Sequence, residues 1–151
     1  MKRTMLEEIK NRIRTHSYMS QIERDKQRIQ STAEHFTPTE LVRNMIDSLP
    51  DELFSDPTKT FIDPACGDGQ FLGEVLIKKL EHGIDINTAL DTIYGVDIMR
   101  DNVDLCKRRL GGGNIVMGNA LHPDKKLEGQ TDEELKLMRK WFCKENIEDF
   151  T

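Results

Sequence analysis

Cysteine, long apolar runs and evenly spread basic charge are all scarce in this 151-residue chain, and each scarcity closes a route. Cys66, Cys106 and Cys143 are odd in number, widely spaced and never form CxxC, which argues against both a disulfide framework and a zinc site. His16, His35, His82 and His122 also lack metal-ligand spacing, so no structural metal is expected. No stretch approaches the roughly 18 apolar residues that a membrane helix needs. The start, Met1 to Thr4 followed by Glu7 and Glu8, has no apolar leader core. The expectation is a cytoplasmic chain with no membrane partner.

The net charge of −5 is uneven. Residues 1–30 hold eight Lys/Arg against four Asp/Glu, whereas the rest hold fourteen against twenty-three. A protein that grips a nucleic-acid backbone presents a basic face. Here only the N-terminal segment offers one, so any DNA contact is expected there. Charged residues make up 32% of the chain, and a solvated basic helix explains the same segment without a ligand.

One domain is what this length supports. Met5, Leu6, Ile9, Ile13, Tyr18, Met19, Ile22 and Ile29 form a thin, loosely helical stripe. Residues 1–30 therefore read as a basic helical arm, in one long helix or two short ones packed partly on the body. Residues 31–151 read as the domain proper. A helix is expected from Pro38, with Leu41, Val42, Met45, Ile46 and Leu49 on its apolar side, and it stops before Pro50. Asp51 to Lys59 reads as a turn-rich loop. Strands are expected at 60–63, 93–97 and 114–117, and helices at 71–80, 84–92, 102–110 and 132–150. Gly111 to Gly113 supply the exit from the third of those helices. Strands that alternate with helices imply right-handed parallel crossovers. The fold class is α/β, with three parallel strands in the order 3-2-1 flanked by N- and C-terminal helices. No fourth strand, repeat or low-complexity segment is visible.

The strongest chemical signal is Phe61-Ile62-Asp63-Pro64-Ala65-Cys66-Gly67-Asp68-Gly69-Gln70-Phe71-Leu72. A strand runs into a turn with two glycines and then into a helix, the place where open α/β sheets bind ligands. Glycines let backbone approach a ligand, and Asp63 can accept a hydrogen bond from an ammonium group. A dinucleotide fingerprint would put glycine at position 72, where Leu72 stands, and its acidic residue about 20 residues on. Asp97 is 28 residues beyond Gly69, so both features disfavour NAD. Asp97 ends the second strand and can take both hydroxyls of a ribose, or it can serve as a helix cap. Ile98 follows it. Asn119, Ala120 and Leu121 follow the third strand, where Asn119 offers a side-chain carbonyl or simply turn chemistry.

The string DPACGDGQFL resembles motif I of the N6-adenine DNA methyltransferases. Residues 94–98 resemble the family's second motif, and Glu34 to Val42 resembles its motif X, placed first in the chain. The resemblance covers residues 32–121. It implies a partial Rossmann-like methyltransferase fold that binds S-adenosyl-L-methionine. Phe36, Thr37 and Pro38 would close over the methionine end. Asp63, Pro64, Ala65, Cys66, Gly67, Gly69, Phe71 and Leu72 would form the turn, with Asp97 on the ribose and Ile98 against the adenine. Asn119 would accept from the adenine amino group, with Ala120 and Leu121 beside it in the cofactor site. Thr37 can also cap the helix at Pro38, with Glu40 completing a capping box. Small phage and plasmid genomes in bacterial hosts carry abbreviated methyltransferases of this look.

The same family places a strand ending in Asp/Asn-Pro-Pro-aromatic next, to hold the flipped base. No such string occurs between Leu121 and Thr151. Read this way, the chain is a truncated form without that motif, and its catalytic residues are unknown. Three functions stay open: an adenine methyltransferase or a subunit of one, completed by a partner or second protomer; an inactive cofactor-binding or regulatory module; and an enzyme that degrades the cofactor itself.

Overall fold

The computed structural model describes residues 4–15 and 39–143. The motif X triplet Phe36, Thr37 and Pro38 lies outside the described residues, as do the second half of the N-terminal arm and the segment after Cys143.

Helix α1 (Met5–Thr15) buries Ile9 and Ile13, four residues apart and therefore on one face. Helix α2 (Thr39–Asp47) buries Val42 and Ile46 at the same spacing. Both rest on α4 (Gln70–Glu81), the central helix, whose Leu72, Val75, Leu76 and Ile77 are all buried. The loop expected at 51–59 contains a short helix, α3 (Glu52–Ser55). Phe54 anchors it, fully buried and stacked on Phe61 with ring centroids 5.2 Å apart. Leu53 and Phe54, adjacent in a single turn, leave no periodicity to read, which is why the segment read as a turn-rich loop.

Strands β1 (Phe61–Asp63), β2 (Ile93–Asp97) and β3 (Asn114–Met117) form a parallel sheet in the order β1-β2-β3, the expected 3-2-1 read from the other edge. Asp63 is in register with Gly95, and Asp97 with Met117. The crossovers are made by α4 with α5 (Ile86–Asp91), and by α6 (Arg100–Leu110). Gly111 then exits α6 at φ +80°. This is the partial Rossmann-like α/β arrangement that the sequence pattern implies.

Alternating side chains divide the core between the two faces of the sheet. Ile93, Ile115 and Met117 join the larger cluster with α1, α2, α4 and α6. Val96 and Val116 face the other way, against Met138, Leu137, Trp141 and Phe142 of α7 (Asp132–Phe142). A capping box from Thr131 and Glu134 starts α7. Glu134 also accepts the Met117 N–H at 2.8 Å, and the Gln130 amide donates to the Met117 carbonyl at 2.8 Å. Side chains thus close the outer edge of β3 at Met117. Nothing among the described residues pairs with the outer edge of β1, where Ile62 is 48% exposed. Among the described residues no helix is long and apolar enough to cross a membrane.

Candidate cofactor site

The sheet brings the ends of β1 and β2 together, and with them Asp63 and Asp97. Asp63 Oδ1 accepts the Ala65 N–H at 3.0 Å, which starts the turn. Burial is the first cause that raises the Asp63 carboxyl above its ordinary value, and the charge of Asp97 adds to it against the lowering effect of the Ala65 bond. Two carboxylates therefore share a half-buried corner. No salt bridge reaches Asp63 from the described residues. Such a corner suits a cationic ligand, whose charge would relieve both the desolvation and the repulsion.

Asp97 organises what surrounds it. Its Oδ1 accepts the Gly67 N–H at 3.1 Å, and its Oδ2 accepts the Met99 N–H and the Asn102 side-chain amide, both at 3.0 Å. An ionised carboxylate has about four acceptor sites, so a ribose would share this carboxylate with the chain's own donors. Of the two alternatives left open by the sequence, the helix cap is not made: the N-cap of α6 is Met99, without a side-chain cap bond, and Asp97 instead holds the Met99 N–H and the Asn102 side chain. Between the carboxylates runs the turn. Gly67 has φ +55° and Gly69 φ +94°, conformations that side chains disfavour. A Cβ at Gly69 would also lie 2.9 Å from Cys106 Sγ.

The other expected residues are distributed as follows. Pro64 and Ala65 are exposed on the turn, and Phe71 is half-buried. Cys66 and Leu72 are buried and form the floor beneath it. The neighbouring Cys106 thiol and burial push the Cys66 thiol well above the ordinary range, which keeps it protonated and unsuited to nucleophilic chemistry. Ile98 is 42% exposed beside Asp97. Asn119 turns its side-chain carbonyl onto the Leu121 and His122 N–H groups, at 3.0 and 3.3 Å, so that acceptor already serves a local turn. Ala120 is half-buried and Leu121 is 87% exposed. Thr39, the first described residue after the motif X triplet, donates to Gln70 at 2.6 Å, one position past Gly69.

Sequence reading missed Asn102, which fixes Asp97, and Arg109, which bonds Asp68 in the turn from 41 residues away. Nothing local in the chain marks either contact.

An open parallel sheet with a glycine turn after its first strand and acidic residues ending its first two strands is a partial Rossmann-like fold of the methyltransferase type. A family model described as N-6 DNA Methylase matches residues 18–139, and the chain belongs to that family. Its members are S-adenosylmethionine-dependent methyltransferases. No curated protein and no solved structure matches the chain.

Proposed function

We propose that these residues are the S-adenosylmethionine-binding part of an adenine-N6 DNA methyltransferase, completed by a partner subunit or second protomer that holds the target base. The observation that carries the reading is the Asp63–Asp97 corner, a half-buried pair of carboxylates with no salt bridge to Asp63 from the described residues. Asp63 would take the cationic end of the cofactor. Asp97 and the Gly67–Gly69 turn would take the ribose and the backbone-facing atoms, and Ile98 would lie against the adenine. S-adenosylmethionine, when bound, supplies a methyl group made electrophilic by its sulfonium charge. Orienting the attacking amine is then the main task of the surrounding protein.

A partner fits the sheet as well as the chemistry. The outer edge of β1 carries no strand among the described residues, and an open edge is a template for another strand. DNA contact falls to Lys2, Arg3, Arg24, Lys26 and Arg28. The other three cations of residues 1–30 are engaged by the body: Lys10 with Glu81 at 3.4 Å, Arg12 with the Leu110 carbonyl at 2.8 Å, and Arg14 with Glu74 at 2.7 Å.

Among the described residues the chain runs from β3 into helix α7 rather than into a further strand, and this favours a second reading, a non-catalytic cofactor module. Calorimetry with S-adenosylmethionine, followed by labelled-methyl transfer to unmodified DNA, tests both. Binding with transfer, alone or after a second polypeptide is added, supports the methyltransferase. Binding without transfer under either condition supports the module, and cofactor consumed without DNA points to a degrading enzyme. No binding removes all three.

A further inference from the structure

Arg109, the penultimate residue of α6, is 6% exposed and bonds two distant parts of the chain at once. Its Nε donates to the Asp68 carbonyl at 3.0 Å, and its Nη2 lies 3.4 Å from the Asp68 carboxylate. Its Nη1 donates to the Ile13 carbonyl, near the C-terminus of α1, at 2.9 Å. Asp68 is 2% exposed and sits between the two glycines of the cofactor turn. The exchange is reciprocal: Arg12 of α1 donates to the carbonyls of Arg109 and Leu110, at 3.1 and 2.8 Å. That approach needs a residue without a side chain at Gly111, where a Cβ would lie 2.7 Å from Arg12 Nη2. A second tie runs through buried Glu74, one turn into α4, which accepts from Arg14 and from Arg43 of α2.

We propose that Arg109 is a positioning residue for the cofactor turn, and that α1 sets affinity for an adenosyl ligand through it. The inference rests on reading the Gly67–Gly69 turn as the S-adenosylmethionine site. Glycine loses more backbone freedom on ordering than any other residue, so a turn with two of them is costly to fix. A planar guanidinium that holds both the carbonyl and the carboxylate of Asp68 fixes it before the ligand arrives, which removes that cost from binding. Because the same guanidinium also holds the end of α1, displacement of the helix loosens the turn.

The test uses the full chain. Affinity for S-adenosylmethionine is measured by calorimetry for the unsubstituted protein, Arg109→Lys, Arg12→Met, Asp68→Asn and the Arg12→Met/Asp68→Asn double variant. Amide exchange is followed at Gly67–Gly69 and in β3. Lysine keeps the charge but not the fork, so Arg109→Lys should weaken binding about tenfold. Arg12→Met, remote from the ligand, should weaken it several-fold, less than additively with Asp68→Asn. Exchange should quicken at the turn and stay slow in β3. Native affinity in Arg12→Met, or strictly additive losses, would overturn the proposal. Should Arg109→Lys fail to fold, the exposed Arg12 position decides alone. An unsubstituted chain that binds no adenosyl ligand overturns the cofactor reading and this inference together. Binding by that chain, with equal binding by the variants, overturns only the inference.

Discussion

Asp97 at the end of β2 accepts the Gly67 N–H at 3.1 Å, so the carboxylate of one strand holds the turn that leaves its neighbour. The N–H groups of Gly67 and Met99 and the Asn102 side-chain amide converge on this side chain. Asp97→Ala should therefore lower both stability and cofactor affinity. Loss of hydrogen bonds to a charged acceptor costs about 1.5–3 kcal/mol in binding, roughly ten- to a hundredfold in Kd. Calorimetry and thermal unfolding should move together. A variant with native Kd would take Asp97 out of the site.

Asp63→Asn should separate binding from stability. A carboxyl raised above 3.8 in the fold ionises at a cost, so the stability present below that pH is lost as pH rises through the raised value. The amide removes that loss, and the variant should melt higher than the unsubstituted chain at pH 7. Its affinity for cationic S-adenosylmethionine should fall about tenfold. In the unsubstituted chain, the Asp63 contribution to affinity should grow as pH rises through the raised value and then level off. An unchanged melting temperature together with an unchanged Kd would show that the corner has no such charge.

Glu134 makes the opposite prediction. Arg100 and the Met117 and Thr131 N–H groups outweigh burial and bring its pKa down from 4.5 to about 2. A depressed carboxylate adds stability that is present above 4.5 and lost as pH falls towards about 2. Glu134→Gln should therefore lower the urea midpoint at pH 7, and the difference from the unsubstituted chain should shrink on acidification. A gap that stays constant with pH would rule out this account.

The N-terminal helix belongs to the core. Ile13 is fully buried, and Ile13→Ala should cost about 2–5 kcal/mol. Removal of residues 1–30 would therefore test folding before it tested DNA binding. The cleaner probe of the arm replaces Lys2, Arg3, Arg24, Lys26 and Arg28 with glutamine, which should flatten the salt dependence of DNA binding. A slope unchanged by all five substitutions would place any DNA contact elsewhere.

Local order along the chain determined the strands, because β-branched and apolar runs bounded by Gly, Pro and Asp read the same in any context. β3 has the expected bounds and β2 ends where expected, at Asp97. Helix starts were less legible. α6 begins at Arg100, two residues before the expected start at 102, since a first turn can be built from polar residues. The glycine turn and both acidic strand ends were likewise readable, being contiguous with the strands that carry them. Tertiary structure alone decided what those residues bond. The sheet register put Asp97 against Gly67, and helix packing put Arg109 between Asp68 and Ile13. Contacts across 30 to 96 residues have no local periodicity to betray them. They form only once burial has set which faces meet, which is also why the bonds of Arg12 and Arg14 to the body were not legible in an arm expected to pack partly on it.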